Sequence, residues 1–317
     1  MNIYEKLKKP ILSLAPMEDV TDTVFRQVVM SVGRPDLFYT EFVNVEGLNS
    51  KGRDRVIHRL RYNKNEKPII AQLWGVKPEN FLKAAELVKG MGFNGVDINM
   101  GCSVKNVVKN NAGSGLIREE RGLVKEIIEA TKEGAKGLPV SVKTRLGFDE
   151  VDIEGWVSFL LDQSLNALTF NMRTARGEES INADWSYMDE IIKIRNEKSQ
   201  STLIFGNGDI KSLVQAKSMV DEYRVDGVMI GRAAITNPWI FSSNEESTKE
   251  ERLKVFKKHL LLFKEAWGEE KDFHSLKKFF RAYINDFDGA NELRTKLMTC
   301  SSVSEIMVIL DETKLVK

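Results

Sequence analysis

Short apolar runs without polar alternation recur along the chain, at 11–15, 37–40, 68–73, 95–100, 139–143, 167–170, 202–205 and 227–230. Longer stretches with apolar residues at helical spacing lie between them, most clearly at 78–91 and 119–134. Pro78 suits the first turn of its helix, where a missing N–H costs nothing. A strand buried on both faces reads as a continuous apolar run, and strands that alternate with helices pair in parallel. Eight such units in about 240 residues predict an α/β fold of the (β/α)8 TIM-barrel type. An open doubly wound sheet lacks its signature, since no Gly-x-Gly-x-x-Gly follows the first run. After Asn237-Pro-Trp-Ile-Phe241 the pattern changes. Residues 242–249 are polar and acidic, as in a linker, and beyond about 250 only helical periodicity remains. Leu253, Phe256, His259, Leu260 and Phe263 mark one amphipathic helix; others are predicted at 275–287 and 291–299, and a fourth is capped by Ser302 or Ser304. The predicted organisation is a barrel domain over 1–241 and a small helical bundle over 250–317.

Composition narrows the class. The 317 residues are 42% hydrophobic and 29% charged, which suits a folded chain with a sizeable core. The net charge is +1, so any surface for nucleic acid must be local. Two cysteines, Cys102 and Cys300, are too few for a disulfide framework and fit a reducing, cytoplasmic setting. The opening residues show neither a signal peptide nor a membrane span.

In a barrel of this kind the chemistry belongs at the carboxyl ends of the strands. The first run ends in Ala15-Pro-Met17, the third carries Gln72, and the fourth carries Asn99 and then Gly101-Cys102. The fifth delivers Lys143-Thr-Arg145, the sixth Asn171 and Arg173, the seventh Gly206-Asn-Gly-Asp209 and the eighth Gly231-Arg232. Polar side chains beside buried strands are costly unless they meet a polar ligand. A lone cysteine is often a small inert hydrophobe, but at a strand end a thiol could also act as an acid or nucleophile. The glycine turns after the seventh and eighth runs expose backbone N–H groups where barrels commonly hold a phosphate, and Arg232 adds charge. Gln72 and Asn99 both donate and accept, as recognition of a planar heterocycle requires. Lys143 can stabilise negative charge on a reduced ring. This set fits flavin mononucleotide better than a metal. His58, His259 and His274 lie away from the strand ends, and Asp97 with Asp209 makes no convincing metal cluster.

The sequence resembles the tRNA-dihydrouridine synthases. The match is carried by Leu14-Ala-Pro-Met-Glu-Asp-Val-Thr-Asp22, Asp97-Ile-Asn-Met-Gly-Cys102, Ala112-Gly-Ser-Gly-Leu-Ile117, Val142-Lys-Thr-Arg145, Asn207-Gly-Asp-Ile210, Asp226-Gly-Val-Met-Ile-Gly-Arg232 and Asn237-Pro-Trp-Ile-Phe241, in the family's order. The resemblance implies a flavin enzyme that reduces the 5,6 double bond of specific uridines in tRNA, with NADPH or NADH as reductant. Cys102 would be the proton donor. Pro16, Met17, Gln72, Lys143, Asn171, Asn207, Gly208, Asp209, Gly231 and Arg232 would hold FMN. Asn99, Arg145, Arg173 and Arg176, with Lys277, Lys278 and Arg281 in the tail, would contact the RNA. Ser103 and Asn171 stand where the family usually carries proline and histidine. A monomer without metal or membrane attachment is expected. The competing reading is an FMN-dependent barrel oxidoreductase acting on a small molecule, of the dihydroorotate dehydrogenase type, for which the basic helical tail has no evident use. A third is an RNA-binding descendant without catalysis.

Overall fold

The computed structural model describes residues 2–177, 181–244 and 247–313. Eight strands form one sheet: β1 (Ile11–Leu14), β2 (Phe38–Asn44), β3 (Ile69–Trp74), β4 (Val96–Met100), β5 (Val140–Arg145), β6 (Ala167–Asn171), β7 (Leu203–Asn207) and β8 (Gly227–Ile230). Neighbours follow the order β1-β8-β7-β6-β5-β4-β3-β2, all parallel. A bridge between Ser13 and Leu37 joins the first strand to the start of the second and closes the sheet into a barrel. Every predicted strand forms. β2, β5, β6 and β7 run further than the apolar runs suggest, because polar residues at their carboxyl ends (Asn44, Arg145, Asn171 and Asn207) keep the ladder while leaving the apolar pattern. The helices Pro78–Gly90 and Arg121–Ala135 form as predicted. They pack so closely that a Cβ on Gly134 would lie 2.1 Å from the Leu82 carbonyl oxygen.

Inward positions alternate along each strand, as closure requires. At the amino ends, Ile11, Tyr39, Ile70, Ala167, Leu203, Phe205 and Met229 form an apolar floor, and Tyr4 from the short helix Ile3–Lys6 joins it. Tyr4 meets Phe205 edge-on at 6.2 Å between centroids. Burying a side chain of this kind stabilises the fold by roughly 2–3 kcal/mol. Further along the strands the interior turns polar: Gln72, Asp97 and Ser141 are at most 1% exposed and Asn99 is 6% exposed. That polar layer, not the floor, positions the candidate site.

Packing divides the chain into two compact units, residues 1–22 with 35–231, and residues 23–34 with 232–317. The first holds all eight strands. The second takes in the helix Thr23–Val32 and the stretch 232–241, which chain order alone assigns to the barrel. The reason is packing: Phe25 stacks on Phe279 at 4.9 Å, and the Gly33 backbone lies so close to Ser242 that a Cβ would be 2.5 Å from its amide nitrogen. In this unit Lys249–Trp267 is a long helix opened by a capping box of Thr248 and Glu251. The expected residues Leu253, Phe256, His259, Leu260 and Phe263 are its buried face. His259 Nδ1 lies 2.8 Å from the Tyr283 hydroxyl. The helix expected over 275–287 is instead a 3-10 segment, Phe273–Phe279, followed by one α-turn, Phe280–Tyr283. Leu276 and Phe279 are both buried and three residues apart, a spacing that a 3-10 helix aligns. Ala290–Thr299 and Val303–Thr313 complete the unit, and Ser302 Oγ accepts from the Glu305 amide as the predicted cap. Residues 245 and 246, within the expected linker, lie outside the described residues. Among the described residues no helix is long and apolar enough to cross a membrane.

Candidate active site

The site is built around the turn that follows β4. Gly101 ends the strand, and Cys102 sits half-buried just beyond it. Four parts of the barrel unit hold this turn, and all of them grip backbone or the neighbouring serine. Asn99 Oδ1 accepts from the amides of Gly101 and Cys102, both at 3.0 Å. The Ser114 amide donates to the Cys102 carbonyl at 2.9 Å. Gly113, at φ +58°, lies so close that a Cβ there would be 2.8 Å from the Cys102 carbonyl oxygen and 3.1 Å from its Cβ. Arg145 Nε donates to the Gly101 carbonyl at 2.7 Å, Nη1 to the Thr174 carbonyl at 3.0 Å, and Nη2 to Ser103 Oγ at 3.3 Å. Burial pushes the Cys102 thiol above its ordinary value; a hydrogen bond from the Val104 amide and the charges of Arg145 and Lys143 pull the other way without winning. A thiol so placed stays protonated at neutral pH, as a proton donor must.

Beneath the turn lies the polar layer. Gln72 Nε2 donates to Asp97 Oδ2 at 2.6 Å, Ser141 Oγ donates to Asp97 Oδ1 at 2.5 Å, and Asn99 Nδ2 donates to Gln72 Oε1 at 3.0 Å. Burial pushes the Asp97 carboxyl up to about 6, against the pull of Ser141, Gln72 and Lys143. Lys143 is half-buried and sits in register beside Asn99 on one side and Thr169 on the other. The Thr169 hydroxyl is buried and has no hydrogen-bond partner among the described residues. A polar ring with carbonyl and N–H groups at this mouth would give that hydroxyl a partner.

The other strand-end residues fall into two groups. Gly231 adjoins Ala15 and Met17, with a Cβ there only 3.5–3.6 Å from the Ala15 Cβ and Met17 Sδ, so the backbone of the last strand borders the Ala15-Pro-Met17 turn. Asn207 Nδ2 donates to the Met229 carbonyl at 2.7 Å, fixing the turn where Gly208 takes φ +135°. Arg173, 4% exposed, ion-pairs with Asp209 and donates through Nε to the Ile181 carbonyl at 2.6 Å. Its Nη1 reaches Asn171 Oδ1 at 3.4 Å. Arg145 and Arg173 are thus engaged with the protein itself, whereas Arg176 is exposed and reaches Asp149 at 3.2 Å across open surface. Arg232, Lys277, Lys278 and Arg281 belong to the second unit. There Lys277 Nζ donates to the Met298 carbonyl at 2.7 Å and Lys278 lies 5.8 Å from the Phe279 ring centre.

A family model described as dihydrouridine synthase matches residues 13–316. The chain belongs to the dihydrouridine synthase family. Relatives agree over nearly the whole length. A probable tRNA-dihydrouridine synthase 2 from Bacillus subtilis (strain 168) is 43% identical over 315 residues, covering 98% of this chain and 96% of its own. A probable tRNA-dihydrouridine synthase from Staphylococcus aureus (strain COL) is 42% identical over 315 residues, with 98% and 95% covered. Morphinone reductase shares the barrel fold, with a TM-score of 0.51 at 14% identity over 73% of this chain and 84% of that one. For this dihydrouridine synthase, sequence reasoning misses Ser141, Thr169, Gly113 and the place of Asp97. Asp97 and Asn99 are two apart on β4, so the inward period of the strand is the signal that could find them.

Proposed function

We propose that this dihydrouridine synthase reduces the 5,6 double bond of specific uridines in tRNA, with FMN as resident cofactor, NADPH or NADH as its reductant, and Cys102 as proton donor. The observation that carries this reading is the half-buried thiol, raised by burial and fixed at the mouth of the barrel beside Asn99 and Lys143. The residues present fit a flavin: the Thr169 hydroxyl, without a partner among the described residues, would face the ring with Lys143 and Gln72, Pro16 and Met17 would meet its edge, and the turns at Asn207–Asp209 and Gly231 its phosphate. When bound, the flavin supplies a hydride to C6 of the uracil.

The protein's own residues do the rest. Charge develops at C5 and the adjacent carbonyl as C6 gains the hydride, and Lys143 stabilises it. Cys102 Sγ–H gives its proton to C5, which completes the addition of two hydrogens across the former double bond. The contacts around the turn hold the backbone that carries the thiol while this happens, and an error of about 1 Å at such a point can cost two orders of magnitude in rate. The uridine must leave its stack to enter the mouth. In the barrel unit Arg176 contacts RNA phosphates, and in the second unit, taken by itself, Lys277, Lys278 and Arg281 do. The test is incubation of the purified protein with FMN, NADPH and unmodified tRNA, followed by nucleoside mass spectrometry. Dihydrouridine at one or a few positions is expected. Oxidation of NADPH without any dihydrouridine, combined with turnover of a small enone or orotate, would replace this reading with the small-molecule one.

A further inference from the structure

Asp97 is a buried carboxylate with no part in the chemistry above. It lies on β4 two residues before Asn99, is 0% exposed, and is bonded on one side to Ser141 and on the other to Gln72. The chain of contacts runs from Asp97 through the Gln72 amide and the Asn99 amide to the backbone N–H groups of Gly101 and Cys102. Both ends of this chain have fixed polarity. A carboxylate only accepts, and a backbone N–H only donates. Between them stand two primary amides, each with one donating and one accepting end. One orientation satisfies every member: Gln72 turns its NH2 to Asp97 and its oxygen to Asn99, and Asn99 turns its NH2 to Gln72 and its oxygen to the cysteine turn. Reversing either amide sets oxygen against oxygen or N–H against N–H, at a buried site where an unmet polar group is costly.

We propose that Asp97 is a positioning residue for Cys102: it sets the direction of the Gln72–Asn99 relay and thereby holds the cysteine turn. The inference rests on the reading of Cys102 as proton donor, but its test does not depend on that reading. The relay makes a prediction that packing alone does not. Asn99→Asp is nearly isosteric, yet it puts an acceptor against Gln72 Oε1, so the relay breaks. Asp97→Asn added to it repairs the chain in the opposite sense. The amide introduced at position 97 donates to Gln72 Oε1, and Gln72 Nε2 donates to the carboxylate introduced at position 99. That carboxylate still accepts from the Gly101 and Cys102 amides. Asp97→Asn alone keeps an accepting oxygen for Gln72 and leaves the original direction intact.

The readout is the rate of Cys102 alkylation by iodoacetamide at neutral pH, followed by peptide mass spectrometry, with the buried Cys300 as internal reference. Loss of the amide–amide link between Asn99 and Gln72 is expected to free the turn and raise the Asn99→Asp rate about tenfold. The exchange Asp97→Asn/Asn99→Asp is expected to return to within about threefold of the parent protein, as is Asp97→Asn alone, the mark of direct coupling between the two sites. Simple repulsion between two carboxylates is separated by Gln72→Met: in that background the second substitution no longer rescues the first if the relay is responsible, and still rescues it if repulsion is. Should Asn99→Asp be too unstable to purify, soluble yield and melting temperature of the same variants carry the same comparison. An exchange no better than Asn99→Asp, or a rescue that survives Gln72→Met, overturns the proposal. Correct alkylation behaviour in a protein that makes no dihydrouridine would instead remove the proposed function and leave the relay standing.

Discussion

Gly113→Ala tests how tightly the cysteine turn is built. Gly113 has φ +58°, a conformation that costs a residue with a side chain about 1–2 kcal/mol. Its missing Cβ also leaves room for Cys102: a methyl there would lie 2.8 Å from the Cys102 carbonyl oxygen, 2.9 Å from Val107 Cγ1 and 3.1 Å from the Cys102 Cβ. The neighbours cannot all give way, because the Cys102 carbonyl is held by the Ser114 amide at 2.9 Å. Forcing a methyl into such a space typically costs a further ~1–3 kcal/mol. Gly137 separates the two effects. It has φ +90°, and a Cβ there would meet nothing within 4 Å, so Gly137→Ala carries backbone strain alone. Urea unfolding of both variants, at unchanged m, is expected to place Gly113→Ala about 1–3 kcal/mol below Gly137→Ala. Dihydrouridine formation is expected to fall by one to two orders of magnitude in Gly113→Ala, through displacement of the thiol. Gly137→Ala should turn over normally. Equal stability losses in the two variants, with normal turnover in both, would refute the claim that Gly113 is packed against the cysteine.

Cys102→Ala is expected to retain flavin and tRNA binding and to lose at least about a hundredfold in turnover, read by nucleoside mass spectrometry under single-turnover conditions; near-normal turnover would remove the thiol as acid. Arg145→Lys cannot reproduce the three-way grip on Gly101, Ser103 and Thr174, so a loss of about 2–3 kcal/mol in urea unfolding is expected together with slower turnover. In Arg145→Gln, which removes the charge, the salt dependence of tRNA binding should stay the same, since the guanidinium is engaged within the protein; a shallower salt slope in that variant would mean that it neutralises a phosphate. The Asp97 carboxyl is raised in the folded state from 3.8 to about 6, so the native state is favoured by its protonation. That contribution is complete below about pH 4 and is lost as pH rises through about 6. The stability of Asp97→Asn relative to the parent should therefore climb by about 2 kcal/mol between pH 4 and 6.5, and a flat difference across that window would contradict the shift.

The strands are legible in the sequence because each is an apolar run of strand length, and a run buried on both faces needs no partner in view to be recognised. The carboxyl-end residues are legible for the same reason: where an apolar run stops at Gln72, Asn99, Lys143 or Asn207, the register of the barrel puts them at its mouth. Pairwise contacts are not legible. The resemblance implies RNA contact for Arg145, and nothing in the sequence shows that its acceptors within the protein come from the turn after β4 and the loop after β6. Asp97 enters the sequence reading only as the start of a matching motif and as half of an unconvincing metal pair, because its partners Gln72 and Ser141 come from the two flanking strands. The helix Thr23–Val32 shows an apolar face in sequence, but not which helix that face meets, and it packs with Lys249–Trp267 in the second unit. The 3-10 segment Phe273–Phe279 reads as α in sequence because three- and four-residue spacings overlap in a short window.

These contacts also bear on the two positions where the chain departs from its family's usual pattern. Proline after the cysteine would stiffen the turn through its own ring. Ser103 has no such ring, but its hydroxyl accepts from Arg145, the same guanidinium that holds the Gly101 carbonyl. Stiffness is supplied here by a cation gripping both sides of Cys102. Asn171 likewise accepts from Arg173, whose ion pair with Asp209 joins the turn after β6 to that after β7. Both departures therefore exchange a rigid or ionisable side chain for one tied to a buried arginine. It follows that Arg145 and Arg173 should tolerate substitution worse in this chain than Ser103 and Asn171 do: Ser103→Ala removes one 3.3 Å contact, while Arg145→Lys disturbs the whole turn around the thiol.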